Sequence, residues 1–417
     1  MKISVLIPTR DRLTLLRRAV DSVLRLDDED CELVISDNAS SENVAEYVES
    51  LKDPRVVCVR TTHPLAVTEN WNNALEHSSG DYMIMLGDDD ALLHTYFSRT
   101  RRLIAEFGQP QVIYHNALVY AYPGVVPEEP GGYLRSEGYA DFLREAREPF
   151  RLERERAASM ASAAMGFRVR YGFNMQFVTI ARELIDELSR NGPFYRSPFP
   201  DYYAMNHIFL RARSIVVDPH PLVVIGVSPR SYGFFHNNRQ ETAGRSFLQG
   251  EDSHDSWVSS TEPLLPGTNI NDGWLASMRE LHHELGSPVS PRPDYGRYRM
   301  LQIAYVYEGH HLRGSIDAGE LAELRRHMTR RERVFYDAAF SLLRLLQRIV
   351  PRSARAAIPS ALLLAQRQFP AWDPIRDETS YEDIGAVVEQ VDPSRDPLRW
   401  QRPRRSGLRG ALVRRLG

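Results

Sequence analysis

Three consecutive carboxylates, Asp88, Asp89 and Asp90, follow the apolar run "YMIML" (82–86) and a single Gly87. Like charges about 5 Å apart repel by roughly 3 kcal/mol at an effective dielectric near 20. A chain that ends a buried strand this way needs water or a cation beside it. If the segment stays extended, Asp88 and Asp90 share a side and Asp89 points the other way. Two hard oxygen ligands on one side suit Mn2+ or Mg2+, which keep positions open for water and phosphate oxygens. Polar and acidic groups recur where two other apolar runs end. "ISVLIPTRD" (3–11) closes on Pro8, Thr9, Arg10 and Asp11, and "CELVISDNAS" (31–40) on Asp37, Asn38 and Ser40.

The elements that position these groups alternate between two periods over the first 115 residues. Strands are predicted over 3–8, 31–37, 55–60, 82–86 and 111–116, and helical spacing over 13–26, 41–51, 67–78 and 96–107. The Asn and Ser just before the second helix, Asn38 and Ser40, are its capping candidates. This β-α-β order implies a parallel sheet with right-handed crossovers and helices on both faces. In such a sheet ligands bind beyond the carboxyl ends of the strands, where the three polar clusters meet. Neither G-x-G-x-x-G nor G-x-x-x-x-G-K-[ST] follows any of these strands, so a bound nucleotide would be held through the metal and scattered donors.

Regularity then falls. Residues 123–132 read as a Pro/Gly loop, 174–188 as a strand turning into a helix, 197–212 as a loop leading into a helix, and 214–228 as two short strands. Residues 246–297 read as an irregular linker with short helical pieces, and 298–417 as a helical extension with a basic tail. The segment 333–352 is strongly amphipathic, with Arg344, Arg348 and Arg352 four residues apart. It either packs on its neighbours or lies on a membrane with its arginines on phosphates.

Together, "VLIPTRDRLTLLRRAVDSVL", "ELVISDNASS" and "NWNNALEHSSGDYMIMLGDDD" resemble the amino-terminal half of family 2 glycosyltransferases with the GT-A fold. The resemblance covers residues 2–115 well and extends more weakly to about 240. It implies a Rossmann-type, mostly parallel α/β sheet within a catalytic domain over 1–245, split into a nucleotide-binding half (1–115) and an acceptor half (116–245). It also implies an inverting transfer from a nucleotide-diphosphate sugar, a UDP-sugar favoured, to a hydroxyl of a glycan or lipid-linked acceptor in bacterial surface-glycan synthesis. Carried over by position, Pro8, Thr9 and Arg10 flank the nucleoside, Asp37 and Asn38 lie at the base, and Asn72 lies near the nucleotide. Asp88 and Asp90 become the D-x-D pair on ribose and metal, with Asp89 beside them. The family commonly has Arg where this chain has Trp71, so Arg230 or Arg239 would supply the phosphate charge. His236 is a candidate further metal ligand. The base that takes the acceptor proton is assigned to Asp201 in "SPFPDYYAMN"; Glu183 and Asp186 are alternatives that look like a solvated helix face. The competing role for Asp201 is a helix cap.

Bulk properties are those of an ordinary globular protein and exclude some classes. Of 417 residues 42% are hydrophobic, and 52 basic against 55 acidic side chains leave a net charge of −3, with no general attraction to nucleic acid. The last 17 residues carry six Arg and no acid, which reads as a solvated tail or a contact with anionic lipid. Cys31 and Cys58 read as buried reduced thiols of a cytoplasmic protein, placed, if the tail and amphipathic helix touch lipid, on the inner face of the plasma membrane. No signal peptide or transmembrane helix is predicted. A nucleotidyltransferase would want Gly and Lys in the first loop, and "PTRDRLT" has neither. A degenerate, non-catalytic transferase that binds nucleotide or glycan, or scaffolds at a membrane, is the other alternative.

Overall fold

Each short apolar run near the amino terminus becomes a strand because its side chains are covered on both faces. In this computed structural model the described residues are 1–392 and 399–400, apart from 128, 137–139, 144–145, 197–198, 239–242, 245–247, 249–261, 268, 288 and 350–373. β1 (Ile3–Thr9), β2 (Cys31–Asp37) and β4 (Tyr82–Met85) are buried along almost their whole length, whereas β3 (Val56–Arg60) lies at the sheet edge and is partly exposed. Between them run α1 (Leu13–Leu24), α2 (Val44–Leu51) and α3 (Val67–Glu76). α1 buries Leu16, Ala19, Val20 and Val23, the i, i+3, i+4, i+7 stripe of an amphipathic helix. Asn43 caps α2 by accepting from the Glu46 N–H at 3.2 Å.

Beyond β5 (Ala91–Leu92) and α4 (Tyr96–Glu106), the chain forms β6 (Val112–Ala121), β7 (Tyr133–Ser136), β8 (Phe150–Leu152) and α5 (Arg154–Met165). β9 (Val178–Ala181), α6 (Arg182–Leu188), α7 (Pro200–Arg211), β10 (Ile215–Val227) and α8 (Tyr232–Asn237) follow. β1 to β4 are parallel in the order β3-β2-β1-β4, as are β6 and β10. The sheet as a whole is mixed. β9 runs antiparallel between β4 and β6, so the strand after α4 is not the neighbour of β4. The expected pair of short strands at 214–228 is one 13-residue strand. Its register against β6 shifts between Asp218 and Val223, around Pro219 and Pro221, which lack the N–H that a regular ladder uses.

Two compact units divide the chain: residues 1–161, 171–253 and 374–403 in one, and 162–170, 254–373 and 404–417 in the other. The first therefore extends past the sheet to include β11 (Arg376–Asp377), paired with β7, and α13 (Ile384–Gln390), whose Ile384, Val387 and Val388 join the core of Leu118, Tyr120 and Val224. The stretch expected as an irregular linker contains α9 (Ile270–Leu285), a 16-residue helix capped by Asn269 and anchored by buried Trp274. α10 (Tyr295–Glu308), α11 (Ala318–His327) and α12 (Arg330–Ile349) complete the second unit's long helices, the first two capped by Asp294 and Asp317. The helical extension is thus not one body over 298–417, because 374–392 has a sheet edge and a core of the first unit to cover.

Candidate active site

Register brings the polar strand ends together. Thr9 pairs with Asp37 across β1 and β2, and Leu6 with Met85 across β1 and β4. Three residues past Met85 the chain is therefore level with Thr9, whose hydroxyl donates to Asp88 Oδ2 at 2.7 Å. From Gly87 to Asp90 the backbone is a tight turn rather than an extension: the Asp90 N–H donates to the Gly87 carbonyl at 3.1 Å, and the Gly87 N–H to Asp90 Oδ2 at 2.7 Å. The premise that placed Asp88 and Asp90 on one side fails for that reason.

Each acid has its own partners. Arg12, at the start of α1, forms an ion pair with Asp88 at 2.8 Å with only 10% of its side chain exposed. Burial opposes the Arg12 charge, but Asp88, Asp89 and Asp90 outweigh it and raise its pKa. Ser228 donates to Asp89 Oδ2 at 2.6 Å. Asp90 accepts from Gly226 N at 2.8 Å and Gln176 Nε2 at 2.7 Å in addition to Gly87 N. Burial, and next the Asp89 charge, push Asp90 up to about 8. A Cβ on Gly226 would overlap the Asp89 carbonyl oxygen, so only glycine lets β10 close on the triplet. Arg12 also donates to the Arg230 carbonyl and Arg230 to that of Asp11, latching the loop after β10 to the loop after β1.

The donor set decides how a divalent ion fits. Asp90 spends both oxygens on protein donors and serves as a brace for the turn, which does not suit a ligand. Asp88 is engaged on both oxygens as well, Oδ2 by Thr9 and Oδ1 by Arg12, whereas Asp89 accepts from Ser228 through Oδ2. An ion here would be held by Asp89 and complete its shell with phosphate oxygens and water, Asp88 joining it only on release of Thr9 or Arg12. Among the described residues no group of three or more His, Cys, Asp or Glu side chains is arranged to hold a metal without such help. His236 lies on α8, but its side chain falls outside the described residues, as does Arg239.

The remaining predicted residues are distributed around this centre. Fully buried Asp37 accepts from Arg60 Nη1 at 2.7 Å and from Ser40 N at 3.0 Å. Asn38 braces the segment before α3, donating to the Leu65 carbonyl at 2.9 Å and accepting from the Leu65 N–H at 2.7 Å. Pro8 is half-buried in β1, and Arg10 is exposed, its nearest acid Asp11 at 3.9 Å. Asn72 holds the backbone of Tyr195 in both directions, at 2.9 and 3.1 Å, while Trp71 packs edge-on against the Tyr195 ring. Asp201 stands in the first turn of α7, half-buried, with the Tyr202 N–H 2.7 Å from Oδ1. Burial pushes its pKa up to about 7, against two backbone hydrogen bonds. Glu183 and Asp186 are exposed on α6, Glu183 paired with Arg213, as a solvated face requires.

Arg12, Arg60, Gln176 and Ser228 were not among the predicted residues. Arg60 ends the third strand and was accessible to the strand-end rule; Arg12 lies two residues beyond Arg10 in the same loop. Gln176 and Ser228 come from more than 85 residues away in sequence and carry no local signal.

Residues 4–145 match the family described as glycosyl transferase family 2. The chain is 35% identical over 95 residues to the GalNAc(5)-diNAcBac-PP-undecaprenol beta-1,3-glucosyltransferase of Campylobacter jejuni subsp. jejuni serotype O:2, covering 22% of this chain and 31% of that protein. It therefore spans about a third of the length of that curated relative. Among solved structures, S. aureus TarS 1–349 in complex with UDP-GlcNAc superposes with TM-score 0.49 at 13% identity, covering 89% of this chain and 94% of that one. A second structure of S. aureus TarS 1–349 gives TM-score 0.46 at 13% identity over 78% of this chain and 89% of that one. The matched residues enclose the strand-end acids of β1, β2 and the turn after β4.

Proposed function

We propose that the chain is an inverting glycosyltransferase that moves a sugar from a nucleoside-diphosphate sugar, a UDP-sugar favoured, to a hydroxyl of a lipid-linked or glycan acceptor. The observation that carries this reading is Asp201, a half-buried carboxylate whose pKa is pushed up to about 7, in the same compact unit as the strand-end acids. A base near neutrality is both ionised and strong enough to accept a proton at working pH. Asp201 takes the acceptor hydroxyl proton as that oxygen attacks the anomeric carbon. The anomeric carbon–phosphate oxygen bond breaks with its electron pair going to the diphosphate, and the configuration inverts. Arg12 is the cation poised to follow the developing negative charge, and Thr9 and Ser228 orient Asp88 and Asp89. Asp89, joined by Asp88 once Thr9 or Arg12 releases one of its oxygens, would hold a Mn2+ or Mg2+ ion, which would supply Lewis-acid stabilisation of the departing diphosphate. The name of the Campylobacter relative, which acts on an undecaprenol-linked glycan, supports a lipid-linked acceptor.

The test incubates the protein with UDP- and GDP-sugars, Mn2+ and an undecaprenyl-diphosphate-glycan acceptor pool, and follows nucleotide release. Acceptor-dependent release is expected, falling at least about a hundredfold in Asp201→Asn. Turnover unchanged in that variant refutes the assigned base.

A further inference from the structure

α12 is held by the protein on one face only. Tyr336, Phe340 and Leu343 are buried, the Tyr336 hydroxyl donates to the Met300 carbonyl of α10 at 3.0 Å, and the Tyr307 ring lies 5.5 and 5.6 Å from those of Tyr336 and Phe340. Its start is fixed by Thr329 and Glu332, which accept from each other's N–H at 3.2 and 2.7 Å. The opposite face is apolar and open. Val334 is 63% exposed, Phe335 62% and Ile349 71%, and Leu342 and Leu345 are also exposed. Of the eight exposed large hydrophobic residues among those described, five are on this helix, so its open face is not the usual scatter of surface apolar groups.

The stripe has a charged border. At about 100° per residue Val334, Ala338, Leu342, Leu345 and Ile349 fall within an arc of roughly 80°, with Phe335 at its edge. Arg330, Arg333, Arg344 and Arg348 lie along one flank, and Arg331 lies in line with the stripe at its amino-terminal end. The helix has only two acids, and both are engaged: Glu332 with Arg299 at 2.8 Å and Asp337 with Arg325. Five arginines therefore border an apolar stripe that offers them no acid among the described residues. A second copy of this face would bring cation against cation, and no helix among the described residues is long and apolar enough to cross a membrane.

We infer that α12 docks the second unit on the surface of an anionic lipid bilayer, its apolar stripe among the acyl chains and its arginines on the headgroup phosphates. The inference rests on this unit alone and does not depend on the transfer chemistry.

Flotation of the full-length protein with phosphatidylcholine vesicles, with and without phosphatidylglycerol and at low and high salt, tests it. Binding is expected only with phosphatidylglycerol and to weaken with salt. A triple Arg330→Gln, Arg344→Gln, Arg348→Gln variant should bind roughly a hundredfold more weakly, at about fivefold per arginine. Leu342→Asp with Leu345→Asp should abolish binding, with the circular dichroism spectrum unchanged because both positions are exposed. Vesicle binding that survives both sets of substitutions overturns the inference. So does a dimer in light scattering that Leu342→Asp dissociates while the wild type ignores vesicles.

Discussion

Asp201→Asn should stabilise the protein in alkali while it removes turnover. In the unfolded chain this carboxyl titrates near 3.8, and in the folded chain burial raises it to about 7. Between those values the folded state keeps a proton that the unfolded state has lost, so stability falls as pH rises through the window. Below about 4 both states are protonated and the group costs little; above 7 both are ionised and the folded state bears the full cost. The separation of the two values corresponds to roughly 4 kcal/mol at 1.36 kcal/mol per pKa unit. Solvent at the exposed side of the carboxyl reduces this to about 2 kcal/mol. Asparagine keeps the oxygen that accepts from Tyr202 N–H and never ionises. Urea unfolding should therefore find Asp201→Asn more stable by about 2 kcal/mol at pH 8.5 and by only about 0.5 kcal/mol at pH 4.5. The wild-type kcat/KM should rise through an acid limb near 7. Equal stability differences at the two pH values, or a variant less stable at pH 8.5, would falsify the claim that Asp201 is held against its charge.

Two further perturbations probe the frame of the site. Arg12→Met leaves Asp88 buried without its counter-charge and should cost about 3–5 kcal/mol in chemical denaturation. Adding Asp88→Asn should recover most of that stability but no nucleotide release; a double variant as unstable as the single would show that Arg12 acts through packing alone. At the opposite strand ends, burial raises the Glu32 carboxyl, but hydrogen bonds from Ser4 and Ser79 and the Lys2 charge outweigh it and hold it at about 2. Its contribution of about 3 kcal/mol is present above pH 4.5 and fades as pH falls toward 2, so Glu32→Gln should lose that much at pH 7 and progressively less at pH 4 and 3.

Much of the frame was legible because it is local. β1, β2 and β4 are short apolar runs bounded by polar residues, and α1 shows its buried stripe in its spacing, so their order could be read directly. The cap of α2 is Asn43, inside the span read as helix, rather than the Asn38 and Ser40 that precede it. The mixed character of the sheet was not legible, since β9 enters between β4 and β6 from more than 90 residues downstream of β4. α9 was hidden by flanking Pro, Gly and Ser, and only its packing around Trp274 reveals a long helix.

By itself the sequence determined which residue types stand at the carboxyl ends of the first strands, because strand length and register follow from hydrophobic patterning. It also determined that Asp201 opens a helix, since Pro200 suits the first helical position. The division of labour within the triplet was decided only in three dimensions. Arg12 takes Asp88, Ser228 takes Asp89, and Gly87, Gly226 and Gln176 take Asp90. Three adjacent acids look alike in one dimension; what separates them is which donors the turn after β4 and the end of β10 bring within 3 Å of each.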